Sequence, residues 1–162
     1  AVMRAFADKA GEDADLWGQV GMLHDYDYER YPDPEEHARV GARIMRDRGW
    51  PNLLARAVES HNPATGVSRD STLERTLYAV DELTGFITAV ALVRPSKSIH
   101  DVKVRSVRKK MKDKGFARDV NRDDITKGAQ EIGLELDEHI SFIIESLKPI
   151  AAELGLVVEA SS

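Results

Sequence analysis

The chain has 162 residues, 42% hydrophobic and 6% aromatic, with no Cys and a formal net charge of -5. That length suits one domain with a substantial core, and the lack of thiols excludes a disulfide framework and thiolate metal sites, which fits a reducing cytosol. No apolar run approaches a membrane span and no basic-then-apolar leader opens the chain, so a soluble, cytoplasmic protein is expected.

The first residues already read as helix, with Val2, Met3 and Phe6 on one side and no capping residue ahead, so this first helix is expected to be truncated. Gly11 breaks it. Glu12 to Asp25 form the second helix, whose Glu12, Asp13 and Asp15 suit a positive helix end. Leu16, Val20, Leu23 and His24 follow helical spacing, which puts an imidazole on the buried stripe with Asp25 beside it. Tyr26 to Pro32 is a polar, aromatic loop of the kind that holds substrate next to a site.

Asp33, Pro34 and Glu36 read as an N-cap, a proline at the first helical position and a capping-box acid, predicting a third helix to about Arg48. His37, Val40, Gly41 and Ile44 share its stripe. Gly49 ends it, and Pro51 opens a fourth helix on which Leu54, Ala57, Val58 and His61 align before Asn62-Pro63 stops it. A third histidine thus falls on an apolar face.

Ser71 caps a long helix from Thr72 to Val93, with Leu73, Leu77, Val80, Thr84, Ile87 and Ala91 inward. Asp81 lies between Leu77 and Thr84 on that wheel, where a carboxylate is expensive unless paired or coordinating a cation. Pro95 terminates this helix, and Ser98 caps a basic helix to about Lys114, stopped by Gly115. Between Arg94 and Arg118 ten Lys or Arg face only Asp101 and Asp113, a local +8 that leaves -13 for the remainder. Such a run marks a phosphate or nucleic-acid contact in some proteins and is more commonly a solvated helix face, so nucleic acid is not the expected partner.

Asn121 begins a helix to Ile132, and Asp137 caps a last one carrying Ile140, Ile143, Ile144, Leu147 and Leu154, with a kink at Pro149. Residues 157–162 are expected to fray. With no strand pair, internal repeat, Gly-rich phosphate loop or GxSxG elbow, the expectation is an all-α, single-domain bundle over residues 1–156.

His24, His37 and His61 each fall on an apolar stripe near a helix end, together with Asp25 and Asp81. Separate core histidines hydrogen-bonded to carbonyls compete with one converging site, and convergence is the more economical reading. Imidazole and carboxylate without thiolate suit Zn, Mn or Fe, or Mg with fewer nitrogen ligands. His100 and His139, near helix starts, read as ordinary surface residues.

The order His24-Asp25, His37, His61 and Asp81 on successive helices resembles the HD-domain superfamily of metal-dependent phosphohydrolases. The segments Leu-His-Asp, Glu-Glu-His, Ser-His-Asn and Ala-Val-Asp-Glu-Leu-Thr-Gly, then Arg94-Pro95-Ser96-Lys97-Ser98 and Lys109 to Lys114, are similar to small bacterial hydrolases built of a lone HD domain. The likeness covers nearly the whole chain. It implies an all-helical bundle in which His24, Asp25 and Asp81 ligate a metal while His37 and His61 match the histidines that hold a second one. The family pattern begins with a further His on the first helix, which has no counterpart here, so a longer parent chain is expected to carry it.

What the resemblance implies is a hydrolase of a small phosphate ester or nucleotide using one or two divalent ions and an activated water. Asp25 would bridge, Glu82 would relay a proton, and Arg94 and Lys97 would contact substrate phosphate. The missing first histidine keeps a second class open, a catalytically impaired ligand-binding or regulatory domain of the same fold. Substrate, metal identity and the choice between monomer and homo-oligomer are not legible.

Overall fold

A computed structural model describes residues 1–157. The expected fraying tail falls almost wholly on residues 158–162, which lie outside the described residues. Among those described there are eight α-helices and no strand: α1 (Val2–Ala10), α2 (Ala14–Leu23), α3 (Arg39–Asp47), α4 (Asn52–His61), α5 (Thr72–Leu92), α6 (Val104–Met111), α7 (Arg122–Glu131) and α8 (Leu136–Leu147). The fold is therefore all-α. No described helix is long and apolar enough to cross a membrane. The chain divides into two compact units, Met3–Tyr78 and Ala79 onward with Ala1–Val2, and α5 runs continuously through the division.

In the unit Met3–Tyr78, α3 packs on α4 and α2 on α4. Ala42 and Met45 of α3 meet Ala55 and Val58 of α4, with Leu23 at the end of α2 against them. Small residues at the helix contact let the backbones approach closely, which carries the residues at the helix ends inward as well. Asp13 caps α2, accepting from the Asp15 and Leu16 amides at 2.9 and 3.0 Å. Ser71 and Glu74 form a reciprocal capping box at the start of α5: the Glu74 amide donates to Ser71 Oγ at 3.2 Å and the Ser71 amide donates to Glu74 Oε2 at 2.9 Å.

The third helix is shorter than its cap signal predicts. Asp33 does accept from the Glu35 amide at 2.8 Å, but residues 34–38 form turns and α3 starts at Arg39 because Ala38 adopts a left-handed φ of 65°. A non-glycine residue there costs roughly 1–2 kcal/mol. The compensation is Asp27, 3% exposed, whose Oδ2 accepts from the amides of Ala38 at 3.1 Å and Gly41 at 2.8 Å. A Cβ on Gly41 would lie 2.7 Å from that oxygen, so the approach requires glycine.

The unit from Ala79 packs α6 and α7 against α8. Phe86, Ile87, Ile125, Ile140 and Ile143 are buried in it. Asn121, expected to begin this helix, stands just before it as the cap of α7, accepting from the Asp123 amide at 3.0 Å. Ser98, in contrast, caps a single 3₁₀ turn, Ile99–Asp101, and α6 begins only at Val104. The intervening Val102 and Lys103 are extended, which buries Ile99 and Val102 while the Ile99 amide donates to the Leu156 carbonyl at 3.0 Å. Helix α8 begins at Leu136 with Asp137 inside its first turn rather than as its cap. It closes at Leu147, where Lys148–Ile150 tighten into a 3₁₀ turn around Pro149, which has no amide to continue the ladder.

His139 is not a surface residue. It is fully buried, and its Nε2 donates to the Ala79 carbonyl at 2.9 Å. Its spacing with Ile143 and Leu147 is the signal for that placement. His100 is exposed, as expected.

Candidate metal centre

The histidine that follows α2 and those before α3 and at the end of α4 reach one carboxylate. Asp25 Oδ2 lies 3.2 Å from His24 Nε2, and Asp25 Oδ1 lies 3.1 Å from His37 Nε2 and 3.4 Å from His61 Nε2. The two imidazoles are themselves 3.3 Å apart at their Nε2 atoms. One ligand atom from each of Asp25, His37 and His61 lies within 4.8 Å of the others, the spread that a shared cation requires.

Each ring is held from behind through Nδ1. His24 Nδ1 donates to the Gly21 carbonyl at 2.9 Å, His61 Nδ1 to the Val58 carbonyl at 2.5 Å and His37 Nδ1 to Asp27 Oδ1 at 2.9 Å. Carbonyls and carboxylates only accept, so Nδ1 carries the hydrogen in all three rings, and in the neutral imidazole Nε2 presents a lone pair. Nitrogen lone pairs and carboxylate oxygens therefore face one another. Such a set of acceptors is repulsive unless a proton or a metal ion sits among them, and the N–H partner on the far side of each ring is the usual support of a metal-ligating histidine. The donor set fits a divalent metal.

Charge behaves accordingly. Burial opposes ionisation of Asp25, but the His24, His37 and His61 rings, which donate from Nε2 in their protonated form, outweigh it and hold this carboxyl far below the ordinary carboxylate range. For His37, burial acts against the cation, yet the hydrogen bond to Asp25 and the charge of Asp27 prevail and raise its pKa. Protons and a metal ion compete for the same lone pairs. Burial is unequal in a useful way: His37 and His61 are enclosed, whereas half of the Asp25 side chain meets solvent, leaving one side of the cluster open to water and a ligand.

Two further residues position the cluster. Asp27 fixes the His37 ring and the Ala38 and Gly41 amides together, and its sequence signal is the alternation Asp25-Tyr26-Asp27. Asn62 does more than stop α4. Its Nδ2 donates to the carbonyls of Pro34 at 2.9 Å and His37 at 3.0 Å, while its Oδ1 accepts from the Ala64 amide, tying the turn that carries His37 to the end of α4. From the loop, the Tyr28 ring meets His37 edge-on and the Tyr26 hydroxyl donates to the Gly41 carbonyl at 2.6 Å.

Of the residues expected to form the site, His24, Asp25, His37 and His61 come together within the unit Met3–Tyr78. Asp81 and Glu82, both half-buried, lie on α5 just past the division, in the other unit. Arg94 follows α5 and is half-buried, with its guanidinium 3.4 Å from Ser106 Oγ, and Lys97 is exposed at a φ of 48°.

No curated protein and no solved structure matches this chain. The family model of the HD domain matches residues 1–85, which contain the whole His–Asp cluster together with Asp81 and Glu82. HD domains are in general metal-dependent phosphohydrolases, and the His–Asp grouping suits a divalent ion. The chain belongs to the HD-domain superfamily of metal-dependent phosphohydrolases.

Proposed function

We propose that this protein hydrolyses a small phosphate ester or nucleotide, with His24, Asp25, His37, His61 and Asp81 as ligands for one or two divalent ions. The observation that carries this reading is the convergence of the His24, His37 and His61 Nε2 atoms on Asp25 while every Nδ1 is engaged behind. When bound, the ion supplies Lewis acidity that activates water and offsets charge on the phosphoryl group. Nitrogen and oxygen donors without sulfur suit Mn, Fe, Zn or Mg.

The residues then divide the work. Asp25 bridges the ligand positions from the centre of the cluster, and Asp27 keeps His37 in the tautomer that offers Nε2. Asp81 adds a carboxylate ligand from α5. Glu82 takes up and returns the proton of the attacking water, and Arg94 and Lys97 receive the substrate phosphate as charged hydrogen-bond donors. The cysteine-free composition supports a cytoplasmic setting.

The test is metal analysis of the purified chain with hydrolysis of p-nitrophenyl phosphate and a panel of nucleotides, with and without chelator. The reading expects bound metal and chelator-sensitive release of phosphate, both lost in Asp25→Ala with helicity retained. Bound metal without turnover of any phosphate ester would favour a regulatory or binding domain, and neither metal nor turnover would sink the proposal.

A further inference from the structure

The basic run outside the His–Asp cluster gathers four exposed cations on one face. Arg105, Arg108, Lys109 and Lys112 recur at helical spacing along one side of α6 and its C-cap, and together with Val104 and Asp137 they line a groove of about 590 Å³. Asp137 pairs with Arg108, its Oδ1 lying 3.4 Å from Arg108 Nε. No carboxylate among the described residues pairs with Arg105, Lys109 or Lys112, although the chain as a whole carries more acid than base. Cations at these spacings on one helix repel one another. Their arrangement along a shallow, open groove gives an anion a charge-complementary seat.

We propose that this groove binds a chain of successive phosphates, as found in a nucleic-acid backbone or a linear polyphosphate. From Arg105 to Lys112 the cations span roughly 10 Å of helix axis, the rise of about three phosphates along one strand of a duplex. The lining contains no aromatic ring on which a base could stack and only one apolar side chain, Val104. Recognition therefore falls on the phosphates, without base reading, and the groove lacks the apolar face with which a helix enters a lipid surface.

Fluorescence anisotropy of the full chain with a labelled 15-base-pair DNA duplex, competed by linear polyphosphate, tests this. The expected result is binding whose logarithmic salt dependence has a slope of about -3, set by about three to four phosphate contacts. Arg105→Gln with Lys109→Gln should weaken it at least about tenfold and flatten the slope by about 2, with helicity unchanged. Asp137→Asn should strengthen it several-fold by freeing Arg108, and Lys127→Gln on α7, outside the groove, should leave it alone. Capture of only the duplex, or only polyphosphate, supports the groove and identifies the source of the phosphates. The proposal is overturned if neither binds, if the double variant binds as tightly as the parent, or if the chain instead binds only anionic phosphatidylserine vesicles.

Discussion

His37 and Asp27 are joined at 2.9 Å, Nδ1 to Oδ1, and this single contact decides which nitrogen of the ring faces Asp25. Asp27 also accepts from the Ala38 and Gly41 amides, so one buried carboxylate sets both the start of α3 and the orientation of a candidate ligand.

Asp27→Asn separates these duties from bulk and should be informative. An amide keeps one acceptor oxygen and turns the other position into a donor, which cannot serve the His37 N–H and both backbone amides at once. Metal affinity should fall about 10- to 100-fold, measured by calorimetric titration with Mn or Zn, and unfolding stability should drop by about 1–3 kcal/mol. Unchanged metal affinity would mean that the His37 orientation does not depend on Asp27.

His37→Ala and His61→Ala should each reduce bound metal or phosphate release while far-UV circular dichroism stays close to the parent. The reason is that both rings turn Nε2 into the cluster rather than into apolar side chains. Collapse of the fold with metal content intact would instead identify them as core histidines.

Stability should fall on acidification through His139. Burial lowers its pKa, only partly countered by the hydrogen bond to the Ala79 carbonyl. The folded state therefore resists a proton that the unfolded chain accepts below about pH 6.5. Above that pH both states are neutral and nothing is lost. Below it the loss is at most about 1.4 kcal/mol per pH unit until the folded pKa is reached. Urea unfolding between pH 5 and pH 8 should show this acid limb, and His139→Gln, which keeps a side-chain donor without titrating, should flatten it.

Gly128→Ala should destabilise despite the better helix propensity of alanine. A Cβ at this position of α7 would lie 2.6 Å from the Ala79 Cα, a backbone atom that cannot swing aside. Overpacking of this kind costs about 1–3 kcal/mol, against a propensity gain of roughly 1 kcal/mol. Thermal unfolding should shift downward by a few degrees, and an upward shift would show that α5 and α7 separate at little cost.

What the sequence by itself determined is local and periodic. The stripes of α2, α4 and α5, that of α8 as far as Leu147, the cap at Ser71, the helix start near Asn121 and the His24-Asp25 pair beside a buried face all follow from spacing and from side chains bonding to backbone a few residues away. The ordered histidines and acids also carried the resemblance to the HD-domain superfamily, and an all-α fold follows from the same periodicity. The tertiary structure alone decided the rest. Asp27 reaches Ala38 and Gly41, Asn62 reaches Pro34 and His37, and His139 reaches Ala79 across 60 residues of sequence. A cap signal at Asp33 therefore lost to a buried carboxylate, because satisfying Asp27 inside the packed helices outweighs one residue of left-handed backbone. Contacts between elements, which no local pattern encodes, chose where α3 begins and which nitrogen each histidine presents.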